Sequence, residues 1–203
     1  AGRETAELIK YASNGFLATK ISFINEISDI CEKVGADVQK VAKGIGLDRR
    51  IGSKFLHPGP GFGGSCFPKD TRALAEIGRK YDARTKIIES VIDVNDNRKL
   101  NMVVKIKNTI GGLENKIISI LGLTFKPNTD DMRESPSLVI VSELKKIAAK
   151  IKVYDPAGMD NAKKLTEFDG VEWCSNAYDC ISNANALVVI TEWNEFRALD
   201  LIK

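Results

Sequence analysis

The sequence predicts two architectures in one chain: an all-α region of long helices, then an α/β region built on a parallel sheet. Three observations predict this. Residues 4–34 contain no proline and repeat apolar side chains at helical spacing. Residues 84–110 do the same and stop at Gly111-Gly112. After Lys116 the pattern changes to short apolar runs alternating with helical segments, which is how parallel strands and their crossover helices read. The expected domains are therefore 1–112 and 113–203.

The composition excludes several function classes. Hydrophobic residues make up 43% and charged residues 28% of the 203 residues, as in ordinary globular domains with a real core. The net charge is +3 and the basic residues are scattered. Nucleic-acid binding thus has no footing, while small acidic ligands remain open. No apolar run approaches the roughly 20 residues of a membrane span, and no secretory leader pattern is present. Cys31, Cys66, Cys174 and Cys180 lack zinc-type spacing, and His57 is the single histidine. No metal site is expected, and the cysteines read as reduced thiols of a cytoplasmic protein. The chain opens at Ala1 directly in a helical pattern and is expected to be a piece of a longer protein.

The first helix carries Ile9, Ala12, Phe16, Phe23, Ile27, Ile30 and Val34. Thirty residues at 1.5 Å each make it about 45 Å long, more than a small domain needs to cover its own core. Bulky residues on more than one face point to a dimer interface. Lys10 and Asn14 share one face of this helix, although spacing alone fits a solvated surface as well. Gly35 ends it. Asp37 caps a short helix over Val38–Lys43, closed by Gly44 and Gly46. Arg49 and Arg50 before Gly52 suit a phosphate or carboxylate, or simply a surface turn. A helix over Thr71–Tyr81 turns Leu74 and Ile77 inward. The second long helix carries Ile88, Val91, Ile92, Leu100, Val103 and Ile110.

In the second half, Ile117–Leu121 reads as a buried parallel strand. Residues 124–134 form a polar loop, and Ser135-Pro136 places a cap and a first-turn proline ahead of a helix over Ser137–Lys150. Strands follow at Ile151–Tyr154, Val171–Trp173 and Ala186–Ile190, with helices near Met159–Leu165 and Ala177–Ser182. This is a Rossmann-like pattern, yet its first turn is Gly122-Leu123-Thr124-Phe125-Lys126 rather than G-x-G-x-x-G. A glycine cradle for a pyrophosphate is absent. Lys126 and Arg133 are the candidate ligand contacts.

The stretch with the most chemistry is His57-Pro58-Gly59-Pro60-Gly61-Phe62-Gly63-Gly64-Ser65-Cys66-Phe67-Pro68-Lys69-Asp70. Four glycines and three prolines dictate a loop whose backbone can approach a ligand closely. A thiol sits within it, with a cation and a carboxylate at i+3 and i+4. Asp70 could equally cap a helix starting at Thr71. A lone cysteine is usually a small buried hydrophobe, so the thiol alone decides nothing.

The whole string does more. Gly-Phe-Gly-Gly-Ser-Cys-Phe-Pro-Lys-Asp resembles the nucleophile loop of the UDP-glucose/GDP-mannose dehydrogenase family, and the wider run from Arg50 to Asp70 resembles its UDP-glucose-oxidising branch. Glu7 to Asn14 and Phe125 to Ser135 match further family segments, so the resemblance covers nearly the whole chain. It implies oxidation of UDP-glucose to UDP-glucuronate with two NAD⁺, with Cys66 attacking an aldehyde as thiolate to give a thiohemiacetal and then a thioester. By the same resemblance, Lys10 and Asn14 stabilise the oxyanion and Asp70 handles a proton or orients water. Substrate contacts fall to Lys10, Arg50 (reaching a neighbouring subunit), Phe55, Leu56, His57, Pro58, Gly59, Gly63 and Lys126. Cofactor contacts fall to Lys69 and Arg133. His57 reads as loop structure rather than a base. The resemblance further implies a homodimer through the long helix and an N-terminal NAD-binding domain that these residues do not include. The second domain is expected to be truncated and the piece alone inactive. A sibling enzyme acting on UDP-N-acetylmannosamine or GDP-mannose, and a non-catalytic dimerisation and nucleotide-sugar-binding module, stay open; a purely structural helical adaptor ranks last.

Overall fold

The computed structural model describes residues 2–147 and 150–201. It divides into two compact units, Ala1–Arg98 and Lys99–Lys203. The described part of the first unit is all-helical. Helix α1 spans Arg3–Val34, α2 Val38–Gly46, α3 Phe67–Lys80, and α4 Lys86–Thr109, whose last residues belong to the second unit. Among the described residues, the second unit is a four-stranded parallel sheet with helices. Its elements are β1 (Ile117–Leu121), α5 (Pro136–Lys145), β2 (Lys150–Tyr154), α6 (Met159–Ala162), β3 (Glu172–Trp173), α7 (Ala177–Ile181), β4 (Ala186–Val189) and α8 (Asn194–Arg197). The strand order is β3-β2-β1-β4.

Helix α1 forms where the apolar period places it, and Gly35 at φ 73° closes it with an N–H bond to the Cys31 carbonyl. Its packing inverts the simple expectation. Ile9, Phe16, Phe23 and Ile30, seven residues apart, are 48–65% exposed. The buried residues are Gly15, Ala18, Ser22, Ile24, Asn25, Ser28 and Cys31. Close helix approach explains the choice: a Cβ on Gly15 would lie 2.9 Å from Ile88 Cδ1 and 3.3 Å from Leu74 Cδ2. Small residues therefore let α3 and α4 come in against α1.

Three boundaries move for physical reasons. Helix α2 runs on through Gly44 and Gly46, since a glycine in a helix costs only about 1 kcal/mol, and its Asp37 cap accepts from the Gln39 and Lys40 amides at 2.8 and 3.2 Å. Helix α3 begins at Phe67 rather than Thr71, because Pro68 falls in the first turn, where its missing N–H is no loss. Asp70 is thus inside the first turn of α3 and does not cap it; the cap position belongs to Cys66. Helix α5 ends at Lys145, and positions 148 and 149 of the longer helix expected there lie outside the described residues.

In the second unit, β1 is central. Ile118 pairs with Ile151 on one side and Ala186 on the other, and Ile118, Ser119, Ile120 and Leu121 are all fully buried. Such a strand must be apolar on both faces. Val103, Leu113, Ile140, Leu144, Val153 and Phe168 pack the same core.

Gly122 ends β1 at φ 87°, and a Cβ there would lie 2.6 Å from Thr191 N and 2.7 Å from Thr191 O. Backbone cannot move aside as a side chain can. Gly122→Ala is expected to destabilise the second unit by more than about 1 kcal/mol, measured as a lower urea midpoint with unchanged slope.

Candidate active site

The site grows from the approach of α1 to α3. That packing sets Asn14 and Lys10 on one helix against the first turn of the other. Asn14 Nδ2 donates to Asp70 Oδ2 at 2.6 Å, Lys69 Nζ donates to Asp70 Oδ1 at 2.6 Å, and Lys10 Nζ lies 3.9 Å from Asp70 Oδ2. The Asp70 side chain has no solvent exposure. Burial pushes its carboxyl up, but the hydrogen bonds from Lys69 and Asn14 and the charges of Lys69 and Lys10 outweigh this and hold it below the usual carboxylate range. The same pairing raises Lys69. Asp70 also lies at the positive end of the α3 dipole, which favours its charge.

Cys66 precedes this turn, and its carbonyl accepts the Asp70 amide at 2.8 Å. It is the one exposed thiol of the four. Ser65 Oγ lies 3.8 Å from its sulfur, and the Lys69 ammonium is within electrostatic reach of it. Cys174 is different: burial, with Cys180 beside it, pushes its thiol up to about 12. Burial likewise pushes Cys180 up. Both thiols are buried, and a thiol whose thiolate is disfavoured is a poor nucleophile.

The other candidates in the first unit sort by contact. Phe55 takes φ 62°, a conformation bulky residues avoid, and its ring meets Phe67 edge-on at 6.0 Å. Leu56 is buried with Ile24 and Ala42, so its side chain belongs to the core. His57 is exposed, and Pro58 and Gly59 are half-buried. Gly63 is buried. Arg50 is bound to Asp48 by three side-chain hydrogen bonds of 2.6–3.2 Å. None of its described contacts reaches Asp70 or Cys66.

In the second unit, Lys126 lies 5.3 Å above the Phe125 ring. Arg133 clasps Asp131 through Nε and Nη2 at 2.7–3.1 Å and holds that carboxyl below its usual range. Both side chains stand on the loop that follows β1, and Arg133 lines a cleft of about 650 Å³ with Met132, Asn161 and Lys164.

The comparisons with known proteins bear on this arrangement. Residues 4–97 match the UDP-glucose/GDP-mannose dehydrogenase family, central domain, and residues 119–203 match the same family's UDP binding domain. The chain belongs to the UDP-glucose/GDP-mannose dehydrogenase family. It is 58% identical over 199 residues to the UDP-glucose 6-dehydrogenase of Rhizobium meliloti (strain 1021), covering 98% of this chain and 45% of that protein. It is 50% identical to UDP-glucose 6-dehydrogenase YwqF of Bacillus subtilis (strain 168), covering 97% and 44%. Among solved structures, the UDP-glucose dehydrogenase of Pyrobaculum islandicum matches with a TM-score of 0.92 at 38% identity, over 97% of this chain and 45% of that one. The UDP-D-ManNAc dehydrogenase of Pyrococcus horikoshii matches at 0.77 and 25%, over 97% and 44%. The chain thus spans about 45% of the length of the curated relatives it matches.

Family membership raises the question of a dinucleotide. The residues of the β1 turn do not fit its pyrophosphate. The amides of Leu123 and Thr124, which would face the phosphates in a dinucleotide fold, donate instead to Asp155 Oδ2 at 2.7 and 3.2 Å. A buried carboxylate fills the place of the anion.

Sequence reasoning missed Asn25, Asn95 and Arg98, three buried polar residues of the first unit. Asn25 lies inside the α1 period and the other two on α4. A polar residue at an inward-facing helical position was the available signal.

Because the folded Asp70 carboxyl titrates below its unfolded value, its contribution to stability is complete above about pH 4. It fades as pH falls through the lowered folded value. NMR titration should find Asp70 below ordinary aspartates, and Asp70→Asn should flatten the acid limb of the stability curve.

Proposed function

We propose that this chain is the central and UDP-binding part of an NAD-dependent UDP-glucose 6-dehydrogenase, a cytoplasmic homodimer. Residues 1–112 form the helical catalytic and dimerisation domain and 113–203 the UDP-binding domain. The observation that carries this reading is the convergence of Lys10, Asn14 and Lys69 on a buried Asp70, one helical turn from the exposed Cys66 thiol. A structural cysteine has no use for such a cluster. The relatives named for UDP-glucose are 38–58% identical, whereas those named for UDP-N-acetyl-mannosamine are 25–27% identical, so UDP-glucose is the preferred substrate within the family. The free cysteines fit a reducing compartment. The exposed stripe of Ile9, Phe16, Phe23 and Ile30 suits a second copy of α1.

In this reading two NAD⁺, bound in turn, would each take one hydride; the principal cofactor site lies outside these residues, with Lys69 and Arg133 at its margin. This chain captures the sugar. The Cys66 sulfur bonds to the C6 aldehyde carbon as the carbonyl pair moves onto oxygen. Lys10 and Asn14 donate to that oxyanion, and placed donors of this kind are worth about 10²–10³-fold each. Once the carbon has reached the thioester level, water adds, the C–S bond breaks, and the sulfur regains its proton. A carboxyl held below its usual range is a weak proton acceptor. Asp70 therefore orients the water and its two donors rather than storing a proton. Phe55, Leu56, His57, Pro58, Gly59 and Gly63 present backbone to the sugar nucleotide, Lys126 meets its phosphates, and Arg50 serves the partner's site.

Cys66→Ser in the full-length enzyme is expected to cut UDP-glucuronate release by about 10³-fold or more, the scale on which losing a nucleophile acts. Unimpaired release would exclude the role. The 203-residue chain alone should form no NADH with UDP-glucose; appreciable turnover by it would overturn the assignment of the cofactor site.

A further inference from the structure

The glycine loop is not held by its own sequence. Among the described residues, 57–64 make no backbone-to-backbone hydrogen bond. Their backbone is held by side chains from α1 and α4. Asn95 clasps Phe62 from both sides: Oδ1 accepts the Phe62 amide at 2.7 Å, and Nδ2 donates to the Phe62 carbonyl at 3.1 Å. Gly59 is clasped likewise. Its amide donates to Asn25 Oδ1 at 2.8 Å, and its carbonyl accepts Arg98 Nε at 2.8 Å. Asn25, Asn95 and Arg98 are 2, 3 and 6% exposed. Arg98 is anchored in turn by Asp29, by Ser28 Oγ at 3.1 Å and by the Asn25 carbonyl at 3.4 Å.

Two residues, Gly59 and Phe62, on either side of Pro60-Gly61, are therefore fixed in all four of their backbone hydrogen-bonding groups. Connecting α2 to α3 does not require this. A surface connection leaves its backbone to water, and each buried polar group brought in to replace water carries a desolvation cost. Glycines lose more freedom on ordering than any other residue. A glycine loop ordered at that cost is one whose exact backbone shape is used.

We infer that Asn95 is a positioning residue for nucleotide-sugar binding. Its side-chain amide presets the loop backbone for the ligand, and Asn25 and Arg98 do the same at Gly59. This rests on the reading that the 57–64 backbone meets the sugar nucleotide. Asn95 touches no reacting atom, so relaxing the clasp weakens ground state and transition state alike. That raises KM and leaves kcat in place.

The test is Asn95→Ala and Asn95→Asp in the full-length enzyme, assayed well below each variant's melting temperature, with Arg98→Lys as a second site if either fails to fold. KM for UDP-glucose should rise about tenfold while kcat stays within threefold. The UDP-glucose concentration that half-protects Cys66 from iodoacetamide should rise by the same factor. Asn95→Asp keeps the acceptor for the Phe62 amide and regains a donor only when protonated, so its KM should fall as pH is lowered. A lower melting temperature with KM and protection unchanged would reduce the clasp to a brace and overturn the inference alone. Failure of UDP-glucose to protect Cys66 in the unsubstituted protein would instead remove the functional reading, and the inference with it.

Discussion

A carboxylate with no solvent exposure persists only if its surroundings replace water, and Asp70 sets that demand for the first unit. Its two oxygens take a hydrogen bond from Asn14 and another from Lys69, with Lys10 3.9 Å away. Asn14 and Lys10 come from α1, Asn14 standing 56 residues from Asp70 in sequence, so they reach it only if α1 lies close against α3. Gly15 and Ala18 on the buried face of α1 permit that approach. An isolated buried charge is far more costly than a paired one. The pairing that stabilises Asp70 therefore also fixes where Lys10 and Asn14 stand relative to the turn that carries Cys66.

The same economy governs the outer face of α1. Since its small and polar residues are committed inward, its bulky residues at 9, 16, 23 and 30 are left outside. A heptad stripe of exposed aromatic and branched residues is costly in water and usable against a second helix. The residues that meet α3 and the exposed apolar stripe thus lie on opposite sides of one helix, and the sequence periodicity records the outer one.

Much of this was legible in the sequence and some was not. Element type was legible because the apolar periods are long and the punctuation is clear: Gly35, Gly111-Gly112, and Ser135-Pro136 all fall at element ends. The start of α3 was misplaced because a proline looks like a breaker and is harmless in a first turn. Which face of α1 packs inward was not legible, since apolar period locates a helix but cannot say whether the stripe faces its own core or another molecule. Lys10, Asn14, Lys69 and Asp70 could be named from resemblance, but their convergence on one carboxylate is a tertiary fact. Asn25, Asn95 and Arg98 carried only a faint mark, a polar residue at an inward-facing helical position. Their role appears only through the loop backbone they clasp.

The second unit makes a complementary point about anions. A parallel sheet with order β3-β2-β1-β4 ordinarily offers the amides after β1 to a phosphate at the strand ends. Here Asp155, from the end of β2, accepts Leu123 N and Thr124 N, while its other oxygen takes Ala157 N and Gly158 N at 2.9 and 2.7 Å. Trp193 Nε1 adds a further bond at 3.2 Å, and Gly122 lets the turn press directly on Thr191. One carboxylate thus stitches together the loops after β1, β2 and β4 and consumes the donors that a diphosphate would need. The backbone amides at this turn are therefore already committed. The cations available after β1 are those of the loop that Asp155 holds in shape, Lys126 and Arg133. Where a dinucleotide fold would carry its glycine fingerprint, this sheet thus carries a buried carboxylate beneath a loop that bears two cations.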